Sequence, residues 1–148
     1  DLLRNDLGRF CEPGSVKVTE LCGLYSFDNV HHLISTITGR LASGISAGNV
    51  MIASSPGGSI TGAPKKRAVE IIAELEPHAR GAYCGSLFAM TGDGWLQSSI
   101  AIRTLEAKGT SLYCWGGGGI TASSHWEAEY QETLDKIGPI MKALEAPH

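Results

Sequence analysis

Apolar and polar positions alternate along two early stretches, 16–27 (VKVTELCGLYSF) and 31–41 (HHLISTITGRL), both rich in β-branched and aromatic residues. That pattern predicts two strands. A short helix is expected near 46–54, ending before Pro56. Residues 55–64 (SPGGSITGAP) are too rich in glycine and proline for regular structure. From Pro64 to about Glu76 the apolar residues Ala68, Ile71, Ile72 and Leu75 recur at helical spacing, with Pro64 in the first turn and Pro77 as the stop. Three strands follow, at 82–91, 95–106 and 110–115, separated by Gly92-Asp93-Gly94 and Lys108-Gly109, the pattern of an antiparallel meander. The last element is a helix from His125 to Leu144. Ser124 and Glu127 have the spacing of a capping box, and Trp126, Tyr130, Leu134, Ile137, Met141 and Leu144 mark an inward face. No repeat or linker interrupts the chain. Residues 1–148 therefore read as a single α+β domain, mostly antiparallel sheet with packed helices.

Composition changes this picture by exclusion. A chain of 148 residues, 43% hydrophobic and 18% charged, is ordinary for a globular domain. The net charge of −3 argues against a nucleic-acid partner, and the one basic cluster, Lys65, Lys66 and Arg67, reads as the wet side of a helix. Cys11, Cys22, Cys84 and Cys114 are widely spaced with no C-x-x-C pair, which excludes the common zinc patterns; they read as reduced and buried. With no signal-peptide pattern and no membrane-length apolar run, the expected compartment is the cytoplasm. The chain opens on Asp1 without an initiator Met, and is expected to have been cut from something longer.

Chemistry-bearing residues gather late in the sequence. On the terminal helix Glu129, Glu132 and Lys136 fall within an arc of roughly 60°, away from the apolar stripe. Two carboxylates one turn apart can hold a hard cation such as Mg²⁺, although Glu132 and Lys136 are equally an ordinary i, i+4 pair. Gly116-Gly117-Gly118-Gly119 could form an anion-binding nest or simply a tight turn. The loop from Pro56 to Lys65 fails the phosphate-loop pattern, yet feeds a helix N-terminus that favours anions. Arg103, on a half-buried strand with Ile100 and Ile102 inward, would point to the opposite face and grip a carboxylate, or would lie in water at an edge. His31 and His32 on a strand would face opposite sides; a single histidine is more often structural than catalytic, and Tyr83 by itself reads more as core than as a site residue. Together these residues describe a site for a small dianion.

The order of motifs is more specific than any one of them. DLLRND (Asp1–Asp6), VHHL (Val30–Leu33), PGGSITGAPK (Pro56–Lys65), AIRT (Ala101–Thr104), GGGGI (Gly116–Ile120) and EAEYQETLDK (Glu127–Lys136) closely resemble the chorismate-binding enzymes, over essentially the whole chain. That family includes anthranilate, aminodeoxychorismate, isochorismate and salicylate synthases. GGSITGAPK and EAEYQETLDK are more similar to the aminodeoxychorismate branch than to the anthranilate branch, whose loop typically reads GTLSGAPK.

The resemblance implies the C-terminal part of the two-layer chorismate-utilising fold. It implies that Glu129 and Glu132 ligate Mg²⁺, with Lys136 the active-site lysine one turn on. Arg103 and Tyr83 would hold the enolpyruvyl carboxylate, helped by backbone groups at Gly117 and Gly119. Ser59 would meet the ring carboxylate, and His32 would lie near the C4 hydroxyl that departs. The implied reaction is amination of chorismate to 4-amino-4-deoxychorismate, with ammonia from a glutamine amidotransferase partner. The family's remaining Mg²⁺-ligating glutamate lies just upstream of DLLRND, and its nucleophilic lysine sits in an upstream P-I-K-G-T segment; neither is in these residues, so the chain alone is expected to be inactive. Phe88-Ala89, Gln97, Trp115 and Ser123 depart from the family's usual residues. An anthranilate or isochorismate-type enzyme and a non-catalytic chorismate-binding module are the alternatives. Exposed sheet edges are expected to make the fragment self-associate.

Overall fold

The computed structural model describes residues 1–27 and 31–145. Val30 of the VHHL motif lies outside them. The elements are α1 (Leu2–Gly8), β1 (Lys17–Ser26), β2 (His31–Thr38), α2 (Ala47–Ser54), a 3₁₀ turn (Gly58–Ile60), α3 (Lys65–Leu75), β3 (Ser86–Met90), β4 (Leu96–Ile100), β5 (Thr104–Lys108), β6 (Ser111–Trp115) and α4 (Trp126–Glu145). This is the expected α+β class. The chain forms two compact units, Asp1–Leu75 with Ala89–Gln97 and Glu76–Phe88 with Ser98–His148.

In the first unit β1 and β2 form a long antiparallel hairpin with Leu24 opposite Leu33, Tyr25 opposite His32 and Ser26 opposite His31. Cys22 sits at φ 51°, next to a shift in register, and its amide donates to the Ser35 hydroxyl at 2.9 Å. β2 stops three residues short of the expected Leu41. The reason is a competing partner: Glu12 N donates to the Arg40 carbonyl (2.8 Å) and Ala42 N to that of Phe10 (2.9 Å). α2 begins where its sequence allows a reciprocal cap, with Asn49 N donating to Ser46 Oγ (3.2 Å) and Ser46 N to Asn49 Oδ1 (3.1 Å).

Lys65 corrects the reading of the basic cluster. Lys66 and Arg67 are exposed, but the Lys65 ammonium turns inward to both carboxylate oxygens of Asp6 (3.0 and 3.1 Å) and to the Ser54 carbonyl at the end of α2 (3.1 Å). The Asp6 side chain is only 10% exposed. Gly58 packs beneath this pair, where an added Cβ would lie 3.4 Å from Asp6 Oδ2 and 3.4 Å from Leu2 Cβ. One cation thus ties α1, α2 and the start of α3 together, and holds the ends of the glycine-rich loop.

The expected three-strand meander is two hairpins instead, β3 with β4 and β5 with β6. The long middle strand breaks because Ala101 pairs backward, donating to the Gly85 carbonyl (2.9 Å) and accepting from Cys84 N (2.7 Å). Ile102 N then turns back on the Ile100 carbonyl (3.1 Å) and Arg103 adopts φ 47°. Arg103 is therefore at a left-handed bend and not within a strand. Ile100 and Ile102 are both exposed rather than alternately inward.

α4 starts and ends within a residue of expectation, but its orientation differs. The half-buried positions are Glu129, Thr133, Lys136, Ile137, Gly138 and Ile140, whereas Trp126, Tyr130, Leu134, Met141 and Leu144 are exposed. Of the expected inward stripe Ile137 alone is half-buried, and the other five positions face out. The capping box is also replaced: Glu129 N donates to the His125 carbonyl (3.1 Å), which makes His125 the cap position, and Ser124 Oγ donates to Glu129 Oε1 (2.5 Å). Among the described residues only Asp6, Cys11 and Gly58 are buried and no large side chain is fully enclosed; Cys22, expected buried, is exposed.

Removing one member of a buried ion pair strands the other. Lys65→Met should therefore lower the unfolding free energy by about 3–5 kcal/mol in urea titration, while Asp6→Leu with Lys65→Met recovers most of that loss.

Candidate functional site

The second unit brings four of the expected site residues onto one short segment. β6 ends at Trp115, and residues 116–118 then pass close to side chains of α4 and to Tyr83, leaving no room for a Cβ at 116 or 117 and little at 118. A Cβ on Gly116 would lie 2.3 Å from Ile137 Cγ2, one on Gly117 2.7 Å from the Tyr83 hydroxyl, and one on Gly118 3.1 Å from Glu129 Oε2 and 3.9 Å from Lys136 Nζ. None of Gly116–Gly119 has φ in the left-handed region. Glycine is needed here for space and not for an unusual turn.

Lys136 reaches across this gap. Its ammonium donates to the Gly117 carbonyl at 3.1 Å and pairs with Glu132 Oε1 at 2.5 Å. Glu129 takes a different partner, the Ser124 hydroxyl, while Thr133 Oγ1 donates to the Glu129 carbonyl at 3.0 Å. The sequence pattern singles out neither Ser124, which it marks only as a cap, nor Thr133 as a site residue. The two glutamates share one face of α4, yet one carboxylate is half-buried against the glycines and the other lies at the solvent edge. Gly118, Ser124, Trp126, Glu129, Tyr130 and Thr133 line a concavity of about 320 Å³, small-molecule scale.

Tyr83 is held from several sides. The Trp115 ring stacks on it with centroids 6.0 Å apart at 15°, and the Arg80 guanidinium lies 5.9 Å from its ring centre. Burial, followed by the charge of the neighbouring Cys84 thiol, pushes the Tyr83 phenol above its usual range. Arg80 is anchored by Glu76 (2.5 and 2.8 Å), and that bond lowers the Glu76 carboxyl below its usual value.

Residues 1–142 match the family described as chorismate binding enzyme. The chain belongs to this family. It is 55% identical over 146 residues to aminodeoxychorismate synthase component 1 of Klebsiella aerogenes, a match covering 99% of this chain and 32% of that one. It thus spans about a third of the length of that relative. The crystal structure of anthranilate synthase component I from Streptococcus pneumoniae TIGR4 superposes with a TM-score of 0.84 at 41% identity, covering 93% of this chain and 32% of that one. A putative 2,3-dihydroxybenzoate-specific isochorismate synthase, DhbC, from Bacillus anthracis gives 0.83 at 27% identity, covering 97% and 38%.

Within that family frame, Tyr83, Gly117, Glu129 and Lys136 meet around the glycine segment, with Glu132 joined through Lys136. Gly119 follows them with nothing within 4 Å of an added Cβ. Arg103 is exposed on its bend in the same unit. His32 and Ser59 belong to the first unit. The His32 ring stands edge-on to Phe27 at 5.7 Å, and His31 Nδ1 meets Ser26 Oγ at 3.0 Å. Ser59 is exposed in the 3₁₀ turn, where the Thr61 and Gly62 amides already donate to the Gly58 carbonyl (3.3 and 2.9 Å). Fewer amides are therefore left for an anion than the loop's glycine content suggested.

A methyl at residue 116 must displace Ile137 or part β6 from α4. Gly116→Ala should cost about 1–3 kcal/mol of stability by urea unfolding. Gly119→Ala, with open space around it, should cost less than about 0.5 kcal/mol.

Proposed function

We propose that this chain is the C-terminal catalytic part of a cytoplasmic enzyme that aminates chorismate to 4-amino-4-deoxychorismate, using ammonia from a glutamine amidotransferase partner. The observation that carries it is the convergence of Tyr83, Glu129 and Lys136 on one glycine segment, in a chain 55% identical to an aminodeoxychorismate synthase component 1. Such a cluster offers a hydroxyl, a carboxylate and an ammonium to a small polar ligand approaching the backbone of residues 117–119.

Each residue then has a task. Tyr83 and Arg103 hold the enolpyruvyl carboxylate, a planar guanidinium suiting a two-oxygen acceptor. Backbone groups at Gly117 and Gly119 assist because no side chain stands in the way. Ser59 meets the ring carboxylate. His32 donates a proton to the C4 hydroxyl as it leaves. Lys136, already bonded to Glu132 and the Gly117 carbonyl, keeps the α4 carboxylates and the glycine segment in register. Glu129 and Glu132 supply hard oxygen donors from one helix face, a set that fits Mg²⁺. That ion, when bound, would neutralise the substrate carboxylate and stabilise developing negative charge.

With ammonia and magnesium, the full-length polypeptide should convert chorismate to aminodeoxychorismate, followed by chromatography. Glu129→Gln should cut turnover by about 10²–10³-fold, the range for removing one preorganised charge-stabilising group. Residues 1–148 alone should show no turnover. Anthranilate or isochorismate as the product would overturn the assignment.

The open apolar stripe on α4 and the exposed Leu21, Leu24 and Leu33 of the first hairpin leave much oily surface in water. The 148-residue chain should therefore self-associate, a second copy covering that surface. Light scattering at micromolar concentration should return at least the dimer mass, and a monomer would contradict it.

A further inference from the structure

Trp115 has no task in the reaction outlined above, yet it occupies a demanding position. It is the last residue of β6, immediately before the glycine segment. Its ring lies nearly parallel to that of Tyr83, at 15° and 6.0 Å between centroids, an offset stack. Its indole Nε1 is buried without a hydrogen-bond partner among the described residues. An indole N–H prefers an acceptor when buried, so it is the flat face of this side chain, not its polar edge, that the fold uses.

What the stack constrains is the Tyr83 hydroxyl. That oxygen lies 2.7 Å from where a Cβ of Gly117 would be, and the carbonyl of Gly117 takes the Lys136 ammonium. A tyrosine ring free to rotate or tilt would move its hydroxyl away from this segment. With Trp115 against it the ring has one settled direction, and Arg80 near the same ring adds a second restraint. A small residue at 115 would leave the Tyr83 ring free on that side.

We propose that Trp115 is a positioning residue that sets the Tyr83 hydroxyl at the glycine segment, and through it the affinity for the enolpyruvyl carboxylate. This rests on the reading of Tyr83 as a substrate contact. Trp115 touches no reacting atom, so it governs binding more than the chemical step.

The test uses the full-length polypeptide with chorismate, ammonia and magnesium. Trp115→Leu should raise KM for chorismate roughly tenfold and leave kcat within about twofold, the scale of one lost aromatic pair. Trp115→Phe, which keeps a stacking face, should restore KM to within about threefold of the parent. Tyr83→Phe should raise KM as well, and adding Trp115→Leu to it should raise KM no further, because both act through one hydroxyl. A readout independent of turnover is alkaline absorbance titration of the phenol. Taken as the difference from the Tyr83→Phe variant, the Tyr83 phenol should ionise above the ordinary tyrosine range in the parent and nearer to it in Trp115→Leu, as water reaches the ring.

Independent, multiplying effects of the two substitutions would overturn the proposal. So would an unchanged KM in Trp115→Leu beside a raised KM in Tyr83→Phe. An unchanged KM in Tyr83→Phe would sink the substrate reading of Tyr83 itself, and the proposal with it.

Discussion

The close passage of residues 116–118 against α4 is the constraint on which the rest of the site depends. Side chains of α4 and the Tyr83 hydroxyl crowd the positions that a Cβ of these glycines would take, so each must fit the gap that glycine leaves. Ile137 fills the space at 116, the Tyr83 hydroxyl that at 117, and Glu129 with Lys136 that at 118. A Cβ at 116 or 117 would push Ile137 or the tyrosine away, whereas one at 118 would ask only a small shift of the Glu129 carboxylate. These side chains are thus positioned by what is missing from the strand end, and no positive φ is involved.

That passage also explains the rotation of α4. Half-burying Glu129 and Lys136 is unfavourable unless each finds a partner. The Ser124 hydroxyl and the Gly117 carbonyl supply those partners. Once the polar edge is turned inward, the stripe of Trp126, Tyr130, Leu134, Met141 and Leu144 faces out. Full burial of one such side chain is worth about 1.5–3 kcal/mol, and these five, only partly covered, forgo a share of it. An apolar row of this length on a helix is the mark of a surface built to be covered.

The two units use the same device to hold their glycine-rich segments. Lys136 bridges a carboxylate, Glu132, and a backbone carbonyl, that of Gly117. Lys65 bridges Asp6 and the carbonyl of Ser54. Lysine suits this task because one ammonium has three donors on a long flexible stem, so a single cation can satisfy a side chain and a main-chain acceptor together. The Asp6 pair is the more buried of the two, which makes it the stiffer joint and the costlier one to break.

Local patterning determined the elements themselves. The first hairpin, the short capped helix, α3 and α4 all follow from side-chain periodicity, caps and proline stops, which act over a few residues. The i, i+3 and i+7 spacing put Glu129, Glu132 and Lys136 on one helix face, because that is a property of the helix alone. Motif order along the chain identified the family for the same reason. Direction was another matter. Which face of α4 turns inward, why the strand breaks at Arg103, and that Lys65 seeks Asp6 across 59 residues of chain depend on partners remote in sequence. Those partners compete for the same amides, carbonyls and surface. Only the tertiary structure could decide that competition, since its outcome turns on distances that no local pattern encodes.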